Sequence, residues 1–167
     1  GDQQTDVVID APRWAGLASA VLACEGARGE LTLTFVDRDE ITALNREHMD
    51  EDRPTDVLSF PLDGVDDEPF AGEPLLIGDI VVCPSVAADA APTHAGSLDD
   101  ELALLVVHGC LHVMGYDHAE PDEARIMRAR ELELLVAHHW HGPAPTDFHQ
   151  EHDEMEPDQM AQDPDDR

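Results

Sequence analysis

Residues 30–36 (ELTLTFV) alternate apolar and polar side chains, the period-two pattern of a half-buried strand. Before them, Trp14, Leu17, Val21 and Leu22 recur at helical spacing and predict a helix over residues 14–24, stopping near Gly26. Residues 7–10, apolar and followed by Pro12, predict a short first strand. Asp37 is placed to cap the next helix, with Glu40 three residues on and Ile41 and Leu44 on its apolar side. Residues 55–60 predict a further strand that ends at Pro61, and residues 63–74 a loop rich in acid, Gly and Pro. The unbroken apolar run 79–83 (DIVVC), closed by Pro84, reads as a strand in the centre of a sheet.

The second half is helical. Residues 85–91 predict a short helix, and Ser97 with Asp100 forms a capping pattern ahead of ELALLVVHGCLHVM. That segment is apolar nearly all round, which predicts a buried helix. Pro121, then acids, then Arg125, Arg128 and Arg130 open a final helix to about His139. The expected fold is α+β: a small mixed four-stranded sheet packed with about five helices around a buried central helix that carries the HGxLH motif. Residues 143–167 hold nine acids, four prolines and almost no large apolar side chain, so the folded domain is expected over 1–142 and an acidic disordered tail over 143–167.

Charge changes the picture next. The chain of 167 residues has nine Lys+Arg, all of them Arg, against 38 Asp+Glu, a net charge of −29. Such a surface repels nucleic acid at long range and is screened by salt. The acids are scattered, which favours a salt-rich cytoplasm over a patch for a basic partner. Aromatics make up only 4%, too few for basic-aromatic RNA binding. No apolar run approaches the roughly 18 residues of a membrane span, and no leader opens the chain, so a cytoplasmic protein is expected. Cys24, Cys83 and Cys110 lie in apolar stretches and read as buried thiols of a reducing compartment.

The chemistry concentrates in residues 108–118 (HGCLHVMGYDH). His108 and His112 stand four residues apart on a helix, about 40° around its axis, and can aim at one point. Gly115 permits the positive φ that ends the helix and brings His118 back to that point. Three imidazoles with a fourth position open are the arrangement of a catalytic zinc site, not a closed structural one. The spacing matches H-E-x-x-H-x-x-G-x-x-H, but Gly109 occupies the place of the general-base Glu. Glycine takes no proton and weakens a helix, so Gly109 needs a packing or access reason, and peptidase chemistry is disfavoured. His138, His139 and His141 cluster at a helix end, while His48 and His94 stand alone.

The same eleven residues resemble the H-G-x-L-H-x-x-G-Y-D-H signature of the YbeY family, bacterial metal-dependent endoribonucleases. Residues 54–61 (PTDVLSFP) and 78–81 (GDIV) resemble two further blocks of that family, in order, within residues 30–140. The resemblance implies a single α+β domain with one Zn²⁺ per chain held by His108, His112 and His118. It implies a single-strand-specific endoribonuclease acting in the cytoplasm on small-subunit ribosomal RNA, in 3′-end maturation and ribosome quality control. The expected partners are ribosomal RNA and the small subunit, with no membrane or DNA partner. One departure stands out: where many members carry an Arg five residues before the PT, this chain has Met49. Arg53 and Arg46 are the nearest cations and could reach a phosphate instead, unless they pair with Glu47, Asp50, Glu51 and Asp52. Catalytic roles are thus expected of the three histidines, Arg53 and Asp117, the last orienting an imidazole or capping the turn. Two other readings stay open: a metal-stabilised, non-catalytic ribosome-assembly factor, which Met49 and the acidic surface motivate, and a metallopeptidase-like hydrolase.

Overall fold

A computed structural model describes residues 1–62 and 75–150; the loop expected over 63–74 and the tail beyond 150 lie outside them. Helix α1 (Ala11–Cys24) begins where Asp10 accepts a hydrogen bond from the Arg13 N–H, with Pro12 in the first turn, where its missing N–H costs nothing. Strand β1 (Glu30–Phe35) leads to α2 (Arg38–Met49), capped by the Asp37 carboxylate on the Glu40 N–H. Strands β2 (Val57–Pro61) and β3 (Leu76–Val82) follow, then α3 (Pro84–Ala90) and a 3₁₀ turn (Ala91–Thr93). Helix α4 (Leu98–Val113) starts at Ser97, whose hydroxyl accepts from the Asp100 N–H at 3.1 Å. Helix α5 (Pro121–Leu135) widens into a π turn (Val136–Trp140) short of the plain helix expected to His139.

The sheet is mixed and has three strands, not four. Central β3 pairs parallel with β1 and antiparallel with β2, as its unbroken apolar run indicated. The strand expected at residues 7–10 does not form, because Asp10 is committed to capping α1 and Val8 is almost wholly exposed. Pairing at that edge comes instead from the first residues: Asp2 bridges Phe35, and the Phe35 N–H donates to the Gly1 carbonyl.

One face of the sheet, through Leu33, Phe35, Ile80 and Val82, joins α1, α4 and α5 in the main core around Trp14, Val21, Leu102 and Leu111. The other face, through Leu58 and Val81, packs with Ile41 of α2 and with Cys83 in a smaller cluster. Helix α4 is buried almost all round, as its composition demanded. No described helix is long and apolar enough to cross a membrane.

Helix α4 lies very close to β3, and glycines on both sides make this possible. A Cβ at Gly109 would meet Ile80 Cγ2 at 2.9 Å, and one at Gly78 would meet Val113 Cγ1 at 2.5 Å and the Phe60 carbonyl at 2.9 Å. Gly109 therefore has the packing reason its helical position required. Gly16 is the opposite case: it is exposed in mid-α1, and a Cβ would meet nothing within 4 Å. Gly16→Ala is expected to stabilise the fold by about 0.5–1 kcal/mol, seen as a higher melting temperature; a lower one would contradict the placement of α1.

Residues 143–150, expected in the tail, are docked on the body. Phe148 packs against the main core and meets Trp140 edge-on at 4.8 Å, and the His149 N–H donates to the His94 carbonyl at 3.0 Å. A single aromatic anchor and backbone pairing hold a stretch whose composition alone marks it as too polar to fold.

Candidate metal centre

The helix period and the exit turn act as the sequence suggests. His108 and His112 lie on α4, Gly115 has φ +101°, and the chain turns back so that His118 joins them. The ring centroids form a triangle with sides of 6.2 Å (His108–His112), 5.4 Å (His108–His118) and 5.9 Å (His112–His118). Three imidazoles on one zinc, with Zn–N near 2.0–2.1 Å, would place centroids about 5 Å apart. The triangle is wider than that. Among the described residues no group of three His, Cys, Asp or Glu is drawn in tightly enough to hold an ion as it stands, so binding requires the rings to rotate inward.

The hydrogen bonds behind the rings fit them for that task. His112 Nδ1 lies 3.0 Å from the Tyr116 carbonyl oxygen. A carbonyl only accepts, so the ring proton sits on Nδ1 and the lone pair on Nε2. His108 Nδ1 likewise donates to Glu131 Oε1 at 3.0 Å. Imidazoles tied this way, to one carboxylate and one backbone carbonyl, have the tautomer that zinc ligands use.

Glu131 is the residue that sequence reasoning missed. It is 4% exposed, on the inner face of α5 between Met127 and Leu134. Its signal was there: an acid at helical spacing within an apolar stripe, among many acids that simply face water.

The exit turn has its own clamp. The Tyr116 hydroxyl donates to Glu25 Oε2 at 3.1 Å, and Arg130 Nε donates to the other Glu25 oxygen at 2.5 Å. Burial and then the Glu25 carboxylate push the Tyr116 phenol above its ordinary pKa. The phenol thus positions the turn and stays protonated. Asp117 accepts from the His118 N–H at 2.7 Å, which is the first cause holding its carboxyl below the usual range. It caps the turn beneath His118 and orients that residue through the backbone.

The arginines expected near substrate are engaged with neighbours. Arg53 Nε donates to Glu51 at 2.7 Å, with the arginine side chain 68% exposed, and Arg46 pairs with Asp52 at 3.3 Å. Met49, in place of the family arginine, is the half-exposed last residue of α2. Ser59 lies in the β2 ladder opposite Ile80.

The other histidines and thiols sort themselves structurally. His94 is not solitary: it is buried with Glu101, Nδ1 2.8 Å from Oε1. His139 Nε2 and Trp140 Nε1 both lie 2.8 Å from Asp100 Oδ1. Cys83 and Cys110 are buried, and burial pushes the Cys110 thiol up to about 12. Cys24, expected inside, is exposed, with its sulfur 3.0 Å from His138 Nε2.

A family model described as Endoribonuclease YbeY matches residues 2–139. A protein of that name from Beutenbergia cavernae is 44% identical over 139 residues, covering 80% of this chain and 91% of its own. Another from Salinispora tropica is 46% identical over 143 residues, covering 81% and 88%. The solution structure of TM1509 from Thermotoga maritima is similar in fold, with a TM-score of 0.55 and 26% identity, covering 84% of this chain and 89% of its own. The α+β framework, the ordered motif blocks and the match across nearly the whole described domain place this chain in the YbeY endoribonuclease family.

Proposed function

We propose that this chain is a zinc-dependent endoribonuclease that cuts single-stranded RNA, acting on the small ribosomal subunit in 3′-end maturation of its RNA and in ribosome quality control. Support comes first from the ring protons of His108 and His112, committed to Glu131 and the Tyr116 carbonyl, which leave lone pairs beside His118. Zinc bound there would supply Lewis acidity toward a phosphoryl oxygen and lower the pKa of a water toward about 7. The chain's own work is positional. Glu131 and the Tyr116 carbonyl hold two rings, Asp117 fixes the backbone at His118, and the Glu25–Arg130 pair holds the turn between them. No base stands on the residue after the first histidine, since Gly109 occupies it. The ion pair of Arg46 with Asp52 is solvent-exposed and worth about 0–1 kcal/mol, so a phosphate can draw that arginine away at little cost.

The test is cleavage of small-subunit particles across salt concentrations, with and without a chelator. Cleavage is expected to vanish on chelation, to return with zinc, and to speed up as salt screens the net charge of −29. Cleavage indifferent to chelator would contradict the proposal. Particle binding without cleavage by zinc-loaded protein would favour the assembly-factor reading.

A further inference from the structure

Glu131 presents two oxygens to a nearly dry interior, and only one faces His108. The second, Oε2, lies 3.2 Å from Gln150 Nε2, which also reaches the Arg128 carbonyl at 3.3 Å. Both acceptors require a donor, so the amide orientation is settled by chemistry: its NH₂ points at Glu131. Gln150 ends the docked stretch 143–150, outside the residues 2–139 that the family model matches. Three attachments bring it there. Phe148 packs on Trp140, the His149 N–H bonds to the His94 carbonyl, and Asp147 fills the space beside Gly96, where a Cβ would meet its Oδ2 at 2.7 Å.

We infer that residues 143–150 form a strap and that Gln150 is a positioning residue for the histidine centre, acting through Glu131 on His108. A buried carboxylate oxygen without a donor is costly. Without Gln150, Glu131 rotates or draws in water to satisfy Oε2, and Oε1 loses its fixed aim at His108 Nδ1. Partners directly behind a ligand are typically worth 10–100-fold in metal affinity. Gln150 stands one bond further out, so its removal is expected to weaken zinc binding about 3–10-fold. The inference rests on the metal reading above.

Two measurements on the full chain test it. Zinc affinity is measured by chelator competition, and the hydrogen-bonded imidazole proton of His108 is followed by NMR in metal-free protein, assigned by its loss in His108→Ala. Gln150→Ala is expected to weaken zinc binding and to broaden or abolish that proton signal, with the melting temperature unchanged. Gln150→Glu keeps the shape but sets a second carboxylate against Glu131, and is expected to do more. Unchanged affinity and signal in both variants would overturn the inference, as would affinity falling only in step with melting temperature. If the unaltered chain binds no zinc yet Gln150→Ala still erases the proton signal, the metal reading falls and the positioning role stands.

Discussion

His112→Ala is expected to abolish RNA cleavage while leaving a folded protein. The substitution removes the proposed ligand in the last turn of α4, the one whose proton is fixed on Nδ1 by the Tyr116 carbonyl. Two imidazoles cannot enclose the ion as three do, and replacing a partner behind a ligand already costs about 10–100-fold. Loss of the ligand itself should therefore lower zinc affinity by more than about 100-fold and take cleavage with it. Folding should survive, because the His112 side chain is only partly buried and the core side of α4 is carried by Leu104, Val107 and Leu111. Cleavage assays beside circular dichroism check this. Cleavage persisting in His112→Ala at equal purity would show that the chemistry lies elsewhere.

Gly78→Ala is expected to cost stability by overpacking the contact between β3 and α4. Its Cβ would press on Val113 at 2.5 Å and on the backbone carbonyl of Phe60 at 2.9 Å, in a register where Gly78 lies opposite Pro61. Side chains can shift, but the carbonyl belongs to the neighbouring strand and cannot yield without moving the sheet. Overpacking of this kind costs about 3 kcal/mol, at the upper end of its usual range. For a domain of this size that lowers the melting temperature by roughly 6–12 °C. Because Val113 follows His112 directly, the same pressure should loosen the end of α4 and weaken zinc binding as well. A melting temperature within a degree or two of the parent would show that α4 and β3 are not in such close contact.

How far residues alone led to this arrangement can be traced element by element. Local signals held: Asp37 and Ser97 cap α2 and α4, and the unbroken run 79–83 supplies the central strand, which stops one residue earlier, at Val82. The centroids of the three histidine rings come within 5.4–6.2 Å of one another, wider than a shared ion requires, because the four-residue spacing and the glycine turn are both short-range facts. What failed was decided by a competing local demand in one case and by partners distant along the chain in the others. Residues 7–10 had strand composition, yet the capping demand of Asp10 won, and pairing passed to Asp2. Glu131 meets His108 across 23 positions, and Gln150 meets Glu131 across 19, contacts that no local pattern announces. The stretch 143–150 is polar in composition but is tied down by Phe148 and His149.

X-ray absorption at the zinc edge of zinc-loaded protein tests the shared histidine site most directly. The expected result is about one zinc per chain with nitrogen neighbours near 2.0–2.1 Å and the outer scattering of three imidazole rings. That imidazole signature should be lost in His112→Ala. Absence of imidazole scattering from the unaltered chain, or a spectrum indifferent to His112→Ala, would contradict the account.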